Sequence, residues 1–260
     1  MPSFVKSKLI PYSYNNTPSV FKDYFFQYAS SLGEEGRERF FSFIKDYKGN
    51  ATDYEKIISI FTEKEKNKLN FNSSTYQPGL RFVEQNFKLD SNLFNKMTRF
   101  DLNMFLRHLL LKTDKMTMAH GLESRVPFLD HRVVSLGFSL PPSLKMNLLN
   151  EKYLLKKSMV NILPSRVIKR KKQRFFVPID YWFETVLKEQ SSNILLSNQT
   201  LSRGLFKGTE VENLLNKYKK SPLYYSRQLW SLLNFEIWAR IYLDQEKIGL
   251  DQILSLKIIG

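Results

Sequence analysis

Apolar residues at helical spacing run through most of this chain, and this periodicity constrains its fold more than any other feature. Residues 95–120 contain no glycine or proline and are rich in Met and Leu, which predicts a long, largely buried helix that Gly121 ends or bends. Residues 227–243 repeat Leu, Ile and Trp every three or four positions, which predicts a late core helix. Further helices are predicted over residues 21–47, 52–69, 130–139 and 150–163.

Few stretches alternate apolar and polar residues as a strand does, so we expect a mainly α fold. No repeat, low-complexity tract or linker is visible, and one structural unit over residues 21–250 is expected. Residues 1–20 are polar and rich in turn-forming residues, which predicts a poorly ordered lead-in. Residues 71–80 have the composition of a loop, and Thr62 with Glu65 forms the pattern of a helix capping box.

The charge balance and the absence of cysteine limit the function classes. The 40 Lys and Arg outnumber the 25 Asp and Glu, and a net charge of +15 favours anionic partners such as nucleic acid, anionic lipid or a phosphorylated substrate. The lack of cysteine excludes a disulfide framework and every Cys-ligated metal site. No apolar run reaches the ~20 residues of a membrane helix, and the first residues carry no signal-peptide pattern. We expect a cytoplasmic protein without membrane contact and without a metal site of its own.

Residues 112–132 concentrate charged side chains inside an otherwise apolar run. Asp114 falls on the predicted long helix, and Glu123, Arg125 and Asp130 follow in the turn after it. A charge near an apolar core has to be paired, so these residues fit a structural ion-pair network, Glu123–Arg125 or Asp130–Arg125. If that network buries Arg125, replacing Glu123 by alanine should cost about 3 kcal/mol of stability. A catalytic or substrate-binding turn is the alternative interpretation.

A second charged segment covers residues 169–174, which read KRKKQR and are followed by FFVP. A solvated basic surface is the usual explanation of such a run. A phosphate or nucleic-acid contact is the alternative. The apolar, proline-stopped segment that follows favours a run held in place, and therefore a small phosphate ligand.

The two charged segments together resemble the synthetase domain of glutamine-dependent asparagine synthetases. Residues 114–131 read DKMTMAHGLESRVPFLDH, close to the family pattern D-R-x-S-M-A-H-G-L-E-x-R-V-P-F-L-D-H. Shorter similarities follow at residues 152–156, 163–168, 172–179 and 228–238. The similarity runs from about residue 50 to 243 and is strongest over residues 95–243.

The resemblance implies the helical C-terminal portion of an α/β PP-loop ATPase domain of the adenine nucleotide alpha hydrolase type, with the parallel-sheet half missing. The family reaction is an amidation of aspartate or another carboxylate through an acyl-adenylate, with ATP and Mg²⁺ as cofactors and with ammonia from a glutaminase domain. The resemblance makes Lys172 the catalytic lysine that meets the α-phosphate and the departing pyrophosphate, where a fixed cation stabilises developing negative charge. Asp114, Lys115, Glu123 and Arg125 become candidate substrate-binding residues.

The sequence also departs from the family. The motifs S-G-G-x-D-S and G-E-G-G-D-E are absent, and Arg174 and Phe176 replace the glycines that flank Phe175 in the family pattern. We therefore expect a ligase fragment that is inactive alone. It either pairs with a separately encoded N-terminal half, carrying the PP-loop and the glutaminase, or is the remnant of a truncated gene. The adjacent upstream reading frame would distinguish these two cases.

A different class of function remains open on the sequence alone: a non-catalytic, basic helical module that binds phosphate-rich partners. A dedicated nucleic-acid binder is disfavoured because no recognised motif is present. In the fragment interpretation, helices that would bury one side against the missing sheet leave apolar surface exposed, so we expect poor solubility, self-association or rescue by the complementary half. A monodisperse monomer without exposed apolar surface would instead favour the binding module. The residues expected to form that surface are Phe21, Phe25, Phe40, Phe41 and residues 109–111.

Overall fold

A computed structural model describes residues 48, 50–70, 78–88, 92–147, 150–170 and 177–246. This part of the chain is mainly helical, as the periodicity predicts. The predicted lead-in and the helices expected over residues 21–47 lie outside the described residues. The α/β parent fold is implied by the family resemblance alone. Within the described ranges, no helix combines the length and the apolar character needed to cross a membrane.

In chain order, the described residues form α1 (Ala51–Ile58), α2 (Glu63–Leu69), α3 (Pro78–Phe87), α4 (Leu93–Asp101), α5 (Arg107–Met118), α6 (His131–Ser139), α7 (Pro142–Lys145), β1 (Met146–Asn147), β2 (Asn150–Glu151), α8 (Tyr153–Ser158), α9 (Ser165–Lys169), α10 (Ile179–Glu184), α11 (Lys188–Leu195), α12 (Asn198–Ser202), α13 (Gly208–Tyr218) and α14 (Pro222–Tyr242). A π-helical turn, Leu102–Leu106, joins α4 to α5, and a 3₁₀ turn, Pro127–Leu129, precedes α6.

The chain divides into two compact units. The first unit comprises, of the described residues, 48, 55–70 and 177–246, and the second comprises 50–54, 78–88, 92–147 and 150–170. The chain passes between the units four times: before α1, inside α1, before α3 and before α10.

The first unit is built around α14, which packs against α10, α11 and α13. Its buried residues include Leu229, Leu232, Leu233 and Glu236, spaced three or four apart as one side of a helix requires. The late core helix predicted from residues 227–243 is therefore confirmed. Pro222 occupies the first turn, where its missing N–H removes no helical hydrogen bond.

The capping box predicted at the start of α2 is confirmed, and its glutamate also forms a hydrogen bond with α14. The backbone N–H of Glu65 donates to Thr62 Oγ1 at 3.3 Å, and the backbone N–H of Thr62 donates to Glu65 Oε2 at 2.7 Å. The other carboxylate oxygen of Glu65 accepts a hydrogen bond from Gln228 Nε2 at 3.0 Å. One side chain thus caps a helix terminus and pairs with the amide nitrogen of Gln228, a buried residue of the neighbouring helix.

Four charged side chains form a cluster at the end of α14, which we call the Glu236 cluster: Arg203, Glu236, Arg240 and Asp244. Glu236 is fully buried and accepts from Arg203 Nε at 3.0 Å and from Arg240 Nε at 2.9 Å. Arg203 also donates through Nη1 to Asp244 Oδ1 at 3.0 Å. Each oxygen of the buried carboxylate therefore faces a guanidinium, which is the condition for burying such a charge without a large cost.

The second unit has a small aromatic core formed by α1, α3 and α4. Tyr54, Val83, Phe87 and Phe100 are buried, and the rings of Tyr54 and Phe100 meet edge to face at 5.3 Å between centroids. The hydroxyl of Tyr54 donates to Asp101 Oδ1 at 2.6 Å. The predicted loop at 71–80 is wrong over residues 78–80, because proline is well suited to the first turn of a helix and α3 begins at Pro78. Residues 71–77 lie outside the described ranges.

The long helix predicted over residues 95–120 is present as α4, the π-helical turn and α5. Gly121 ends it, with φ +67° and with the paired hydrogen bonds of a Schellman motif, Leu122 N–H to Thr117 O and Gly121 N–H to Met118 O, both at 3.0 Å. The prediction that this helix is largely buried is wrong. Phe100 is its buried residue, because α3 packs against α4 and no described element encloses α5.

The predicted helices at 130–139 and 150–163 are present in shorter form, as α6 and α8. Residues 150 and 151 instead pair with β1 in an antiparallel hairpin, in the register Met146 opposite Glu151 and Asn147 opposite Asn150. Four prolines start helices in this unit: Pro78 begins α3, Pro127 begins the 3₁₀ turn, Pro142 begins α7, and Pro164 precedes α9.

Alkaline pH should destabilise the first unit through Tyr218. Burial, followed by the charges of Glu184 and Asp180, raises the pKa of Tyr218 to about 12, and its hydroxyl donates to the backbone O of Asp180 at 2.7 Å. A raised folded-state pKa adds stability that is complete below about pH 10 and is lost as the pH rises through about 12. We expect the urea midpoint to fall across that window, and to fall less steeply in Tyr218→Phe. Tyr242→Phe, at a 68% exposed position, should keep the wild-type slope; equal slopes in all three proteins would contradict this.

Candidate functional site

The segment singled out by its charges spans the end of α5, the turn at Gly121, the 3₁₀ turn and the start of α6. Local interactions define its backbone: the Schellman hydrogen bonds end α5, and the N–H of Leu129 donates to Val126 O at 2.9 Å in the following turn. The segment lies wholly in the second unit. The backbone conformation of this segment is therefore determined by hydrogen bonds among its own residues.

Glu123 and Arg125 form the predicted ion pair, with Arg125 Nη2 at 2.8 Å from a carboxylate oxygen of Glu123. The pair is exposed, with 69% of the Glu123 side chain and 80% of the Arg125 side chain accessible. The condition for a large stability cost, a buried Arg125, is therefore not met, because no described element of the second unit covers this turn. The two charges are available to a ligand or to another polypeptide.

Asp130 binds Arg132 and not Arg125, which had been one of the two predicted pairings. The guanidinium of Arg132 donates to both carboxylate oxygens of Asp130, at 3.0 Å and 2.8 Å, and the backbone N–H of Arg132 adds a bond of 2.9 Å. These hydrogen bonds hold the pKa of Asp130 below its usual range. Asp130 is thus the N-cap of α6, and an Asp directly before a stretch of helical periodicity was the sequence signal for this role.

Asp114 and Lys115 lie side by side in the last turns of α5, and both are exposed. Thr117 Oγ1 donates to the backbone oxygens of Thr113 at 3.0 Å and Asp114 at 3.2 Å, so this hydroxyl is used by the helix itself. The structure therefore brings Glu123 and Arg125 together and places Asp114 and Lys115 on the preceding helix.

The basic run begins at the end of α9, where Lys169 and Arg170 are exposed. Lys172 lies outside the described residues, so its catalytic role stays a prediction. Across the part of the chain that the structure covers, no group of three or more His, Asp or Glu side chains is arranged to hold a metal ion.

Replacing Glu123 by alanine should lower the free energy of unfolding by less than about 1 kcal/mol, because an exposed ion pair contributes little. This replaces the larger value expected for a buried pair. Urea titrations of Glu123→Ala, Arg125→Ala and the double variant would give the coupling energy of the pair. A loss of about 3 kcal/mol or more in Glu123→Ala would show that the turn is covered in solution.

Comparison with known proteins places this segment in context. A family model described as asparagine synthase matches residues 4–240. Asparagine synthetase [glutamine-hydrolyzing] 1 of Bacillus subtilis is 35% identical over 205 residues, which cover 76% of this chain and 30% of the relative. Asparagine synthetase [glutamine-hydrolyzing] 3 of the same organism is 35% identical over 103 residues, 36% of this chain and 17% of the relative.

The chicken relative, asparagine synthetase [glutamine-hydrolyzing] of Gallus gallus, is 48% identical over 69 residues, which cover 25% of this chain and 12% of the relative. The chain thus spans about a third or less of the length of these relatives. No solved structure matches the chain.

Proposed function

We propose, because this chain belongs to the asparagine synthase family, that it forms the C-terminal part of a domain that amidates a carboxylate with ATP. The observation that carries the proposal is the family match over residues 4–240, which includes both charged segments. The relative from Bacillus subtilis that is 35% identical bears the name of a glutamine-hydrolyzing asparagine synthetase. Aspartate is the first candidate substrate, and another small carboxylate is the alternative.

The proposed part of this chain in the reaction is binding and charge neutralisation. When bound, ATP supplies the adenylyl group that makes a carboxylate reactive toward ammonia. Lys172, in the basic run that begins at Lys169, would hold the α-phosphate through its ammonium group. A cation fixed beside that phosphate stabilises negative charge that grows as the bond to pyrophosphate breaks.

Substrate binding is proposed for the exposed turn after α5. Glu123 and Arg125 are paired with each other at 2.8 Å, yet most of each side chain is accessible. A carboxylate substrate would replace Glu123 as the partner of Arg125, since a guanidinium binds either carboxylate in the same planar geometry. Asp114 and Lys115 would contribute from the end of α5.

Magnesium fits the described residues poorly. The acidic groups of the turn already face cations, Glu123 with Arg125 and Asp130 with Arg132, and the described ranges hold no cluster of three ligands. Mg²⁺ prefers carboxylates placed beside the substrate phosphates. We propose that those carboxylates belong to polypeptide outside the described ranges, and we assign no step of this chain to the metal.

The alternative is a basic binding module without catalysis. Its support is the net charge of +15 and the exposed cations of α8 and α9, which any polyanion would attract. Salt would weaken such binding to every polyanion alike. The amidating-domain proposal instead predicts that the protein binds ATP more tightly than an inorganic polyphosphate of equal charge.

The purified 260-residue chain should release no pyrophosphate from ATP when aspartate is added. The sequence lacks the motifs S-G-G-x-D-S and G-E-G-G-D-E. One phosphate-binding lysine cannot replace the function of these two motifs. The assay compares the chain with and without aspartate, with the Bacillus subtilis relative as positive control. Aspartate-dependent pyrophosphate release by the chain alone would show that these residues contain a complete site.

A further inference from the structure

The described residues between 102 and 170 form regular helices and turns, yet they enclose no hydrophobic core. Among the described residues of this stretch, 102–147 and 150–170, none is buried. Seventeen large apolar side chains of the stretch are exposed. The least covered include Phe128 at 68% and Ile162 at 69%. An apolar surface of this extent marks an interaction site.

The exposed apolar side chains of α5 lie on two different sides of the helix. Leu109 and Met116 are seven residues apart and share one side of the helix, as do Leu111 and Met118. An α-helix turns by about 100° per residue, so these two rows point about 200° apart. All four side chains are exposed, at 41%, 61%, 56% and 54% in that order. The helix therefore presents apolar rows on opposite sides, and Lys112 lies on the polar stripe between them.

Two opposite apolar rows select the kind of partner. A membrane surface or a single flat protein face contacts one side of a helix and leaves the other in water. A helix that is apolar on opposite sides is stable when it is surrounded. The partner therefore has to supply contacts on both sides of α5.

The charge of the same stretch adds a second condition. Residues 102–170 contain twelve Lys and Arg against four Asp and Glu, a net charge of +8. Burying an apolar surface that carries this charge requires neutralising charges around it. The complementary surface is therefore apolar with an acidic margin.

We propose that α5 inserts into another part of the synthetase, which encloses it on both apolar rows and bears a net negative charge around them. The occupant is the polypeptide that makes up the remaining length of the relatives, of which the Bacillus subtilis protein has about 70% unmatched by this chain. This identification of the partner rests on the proposed function. The two-sided contact rests on the exposure of α5 alone.

The test uses a chimera, defined as the Bacillus subtilis relative with its matched segment replaced by the corresponding residues of this chain. The chain has no cysteine, so single-cysteine variants report local accessibility. Leu109→Cys and Leu111→Cys probe the two rows, and Lys112→Cys is the matched control on the same helix. Thiol labelling rates are measured by peptide mass spectrometry in the isolated chain and in the chimera.

We expect all three positions to react at similar rates in the isolated chain. In the chimera, labelling at positions 109 and 111 should both slow by at least about tenfold, while labelling at 112 changes by less than about threefold. Protection of one row alone would overturn the two-sided insertion, and protection of neither would overturn the proposed partner.

Two further arms use the isolated chain. Protection of both rows on raising its concentration would show a second copy as the occupant, and protection by vesicles of phosphatidylcholine and phosphatidylserine would show a membrane; either result overturns the proposal. Labelling does not depend on turnover. An inactive chimera with both rows protected would count against the proposed function and support the insertion.

Discussion

Replacing Glu236 by alanine is expected to lower the free energy of unfolding by about 3–5 kcal/mol, the cost typical of breaking a buried ion pair on one side. Glu236 is fully buried and lies 2.9 Å from Arg240 Nε and 3.0 Å from Arg203 Nε. Its removal leaves two largely buried guanidinium groups facing each other. An arginine side chain stays protonated in proteins, and hydrogen bonding to Asp244, which the variant retains, raises the pKa of Arg203 further, so this guanidinium cannot lose its charge to relieve the repulsion.

Urea unfolding followed by far-UV circular dichroism measures this loss. Glu236→Gln keeps the shape of the side chain but cannot neutralise two cations, so it should fall between wild type and Glu236→Ala. Glu212→Ala, at an exposed position of α13, is the matched control and should change stability by less than about 0.5 kcal/mol. If Glu236→Ala is no less stable than Glu212→Ala, the ion pairs of the Glu236 cluster do not form in solution.

Replacing Lys172 by alanine in the chimera is expected to lower kcat for asparagine formation by about 10²–10³-fold, the loss typical of removing one group that stabilises transition-state charge. KM for aspartate should change little, because the proposed contact is to phosphate. The matched control is Lys169→Ala, three residues earlier in the same basic run, where we expect less than about threefold.

Lys172→Arg distinguishes a cation held at one position from the overall positive charge of the basic run. Arginine keeps the charge but changes its shape and reach, so it should restore only part of the rate. Equal losses in Lys172→Ala and Lys169→Ala would show that the run acts through its overall charge, as the binding-module alternative requires.

Local structure was predictable at two helix ends whose signals are specific to one conformation. The capping box at Thr62 and Glu65 and the helix end at Gly121 involve residues a few positions apart, and both are present. The late core helix followed from the spacing of its apolar residues, and α14 is the centre of the first unit. Pro78 shows the limit of such reasoning, because proline marks a loop or the first turn of a helix equally well.

Burial was predictable for α14 but not for α5, because it depends on what else packs against a helix. The composition of α5 is that of a core helix, yet the described chain leaves it exposed. The exposed apolar surface expected at residues 109–111 is confirmed at Leu109 and Leu111, whereas the four phenylalanines expected to share it lie outside the described residues. The partner of Asp130 was missed for a similar reason: Arg125 and Arg132 are both near in sequence, and only the helix start at His131 selects Arg132.

Asparagine formation from aspartate, ATP and glutamine by the chimera is the most direct test of the proposed amidating function. If this chain is the C-terminal part of an amidating domain, a chimera that is monodisperse and cooperatively folded should make asparagine in an ATP-dependent reaction. The background rate is measured with a variant of the Bacillus subtilis relative in which the lysine corresponding to Lys172 is replaced by alanine. A folded chimera that stays at that background would contradict the proposal that these residues perform the family's chemistry.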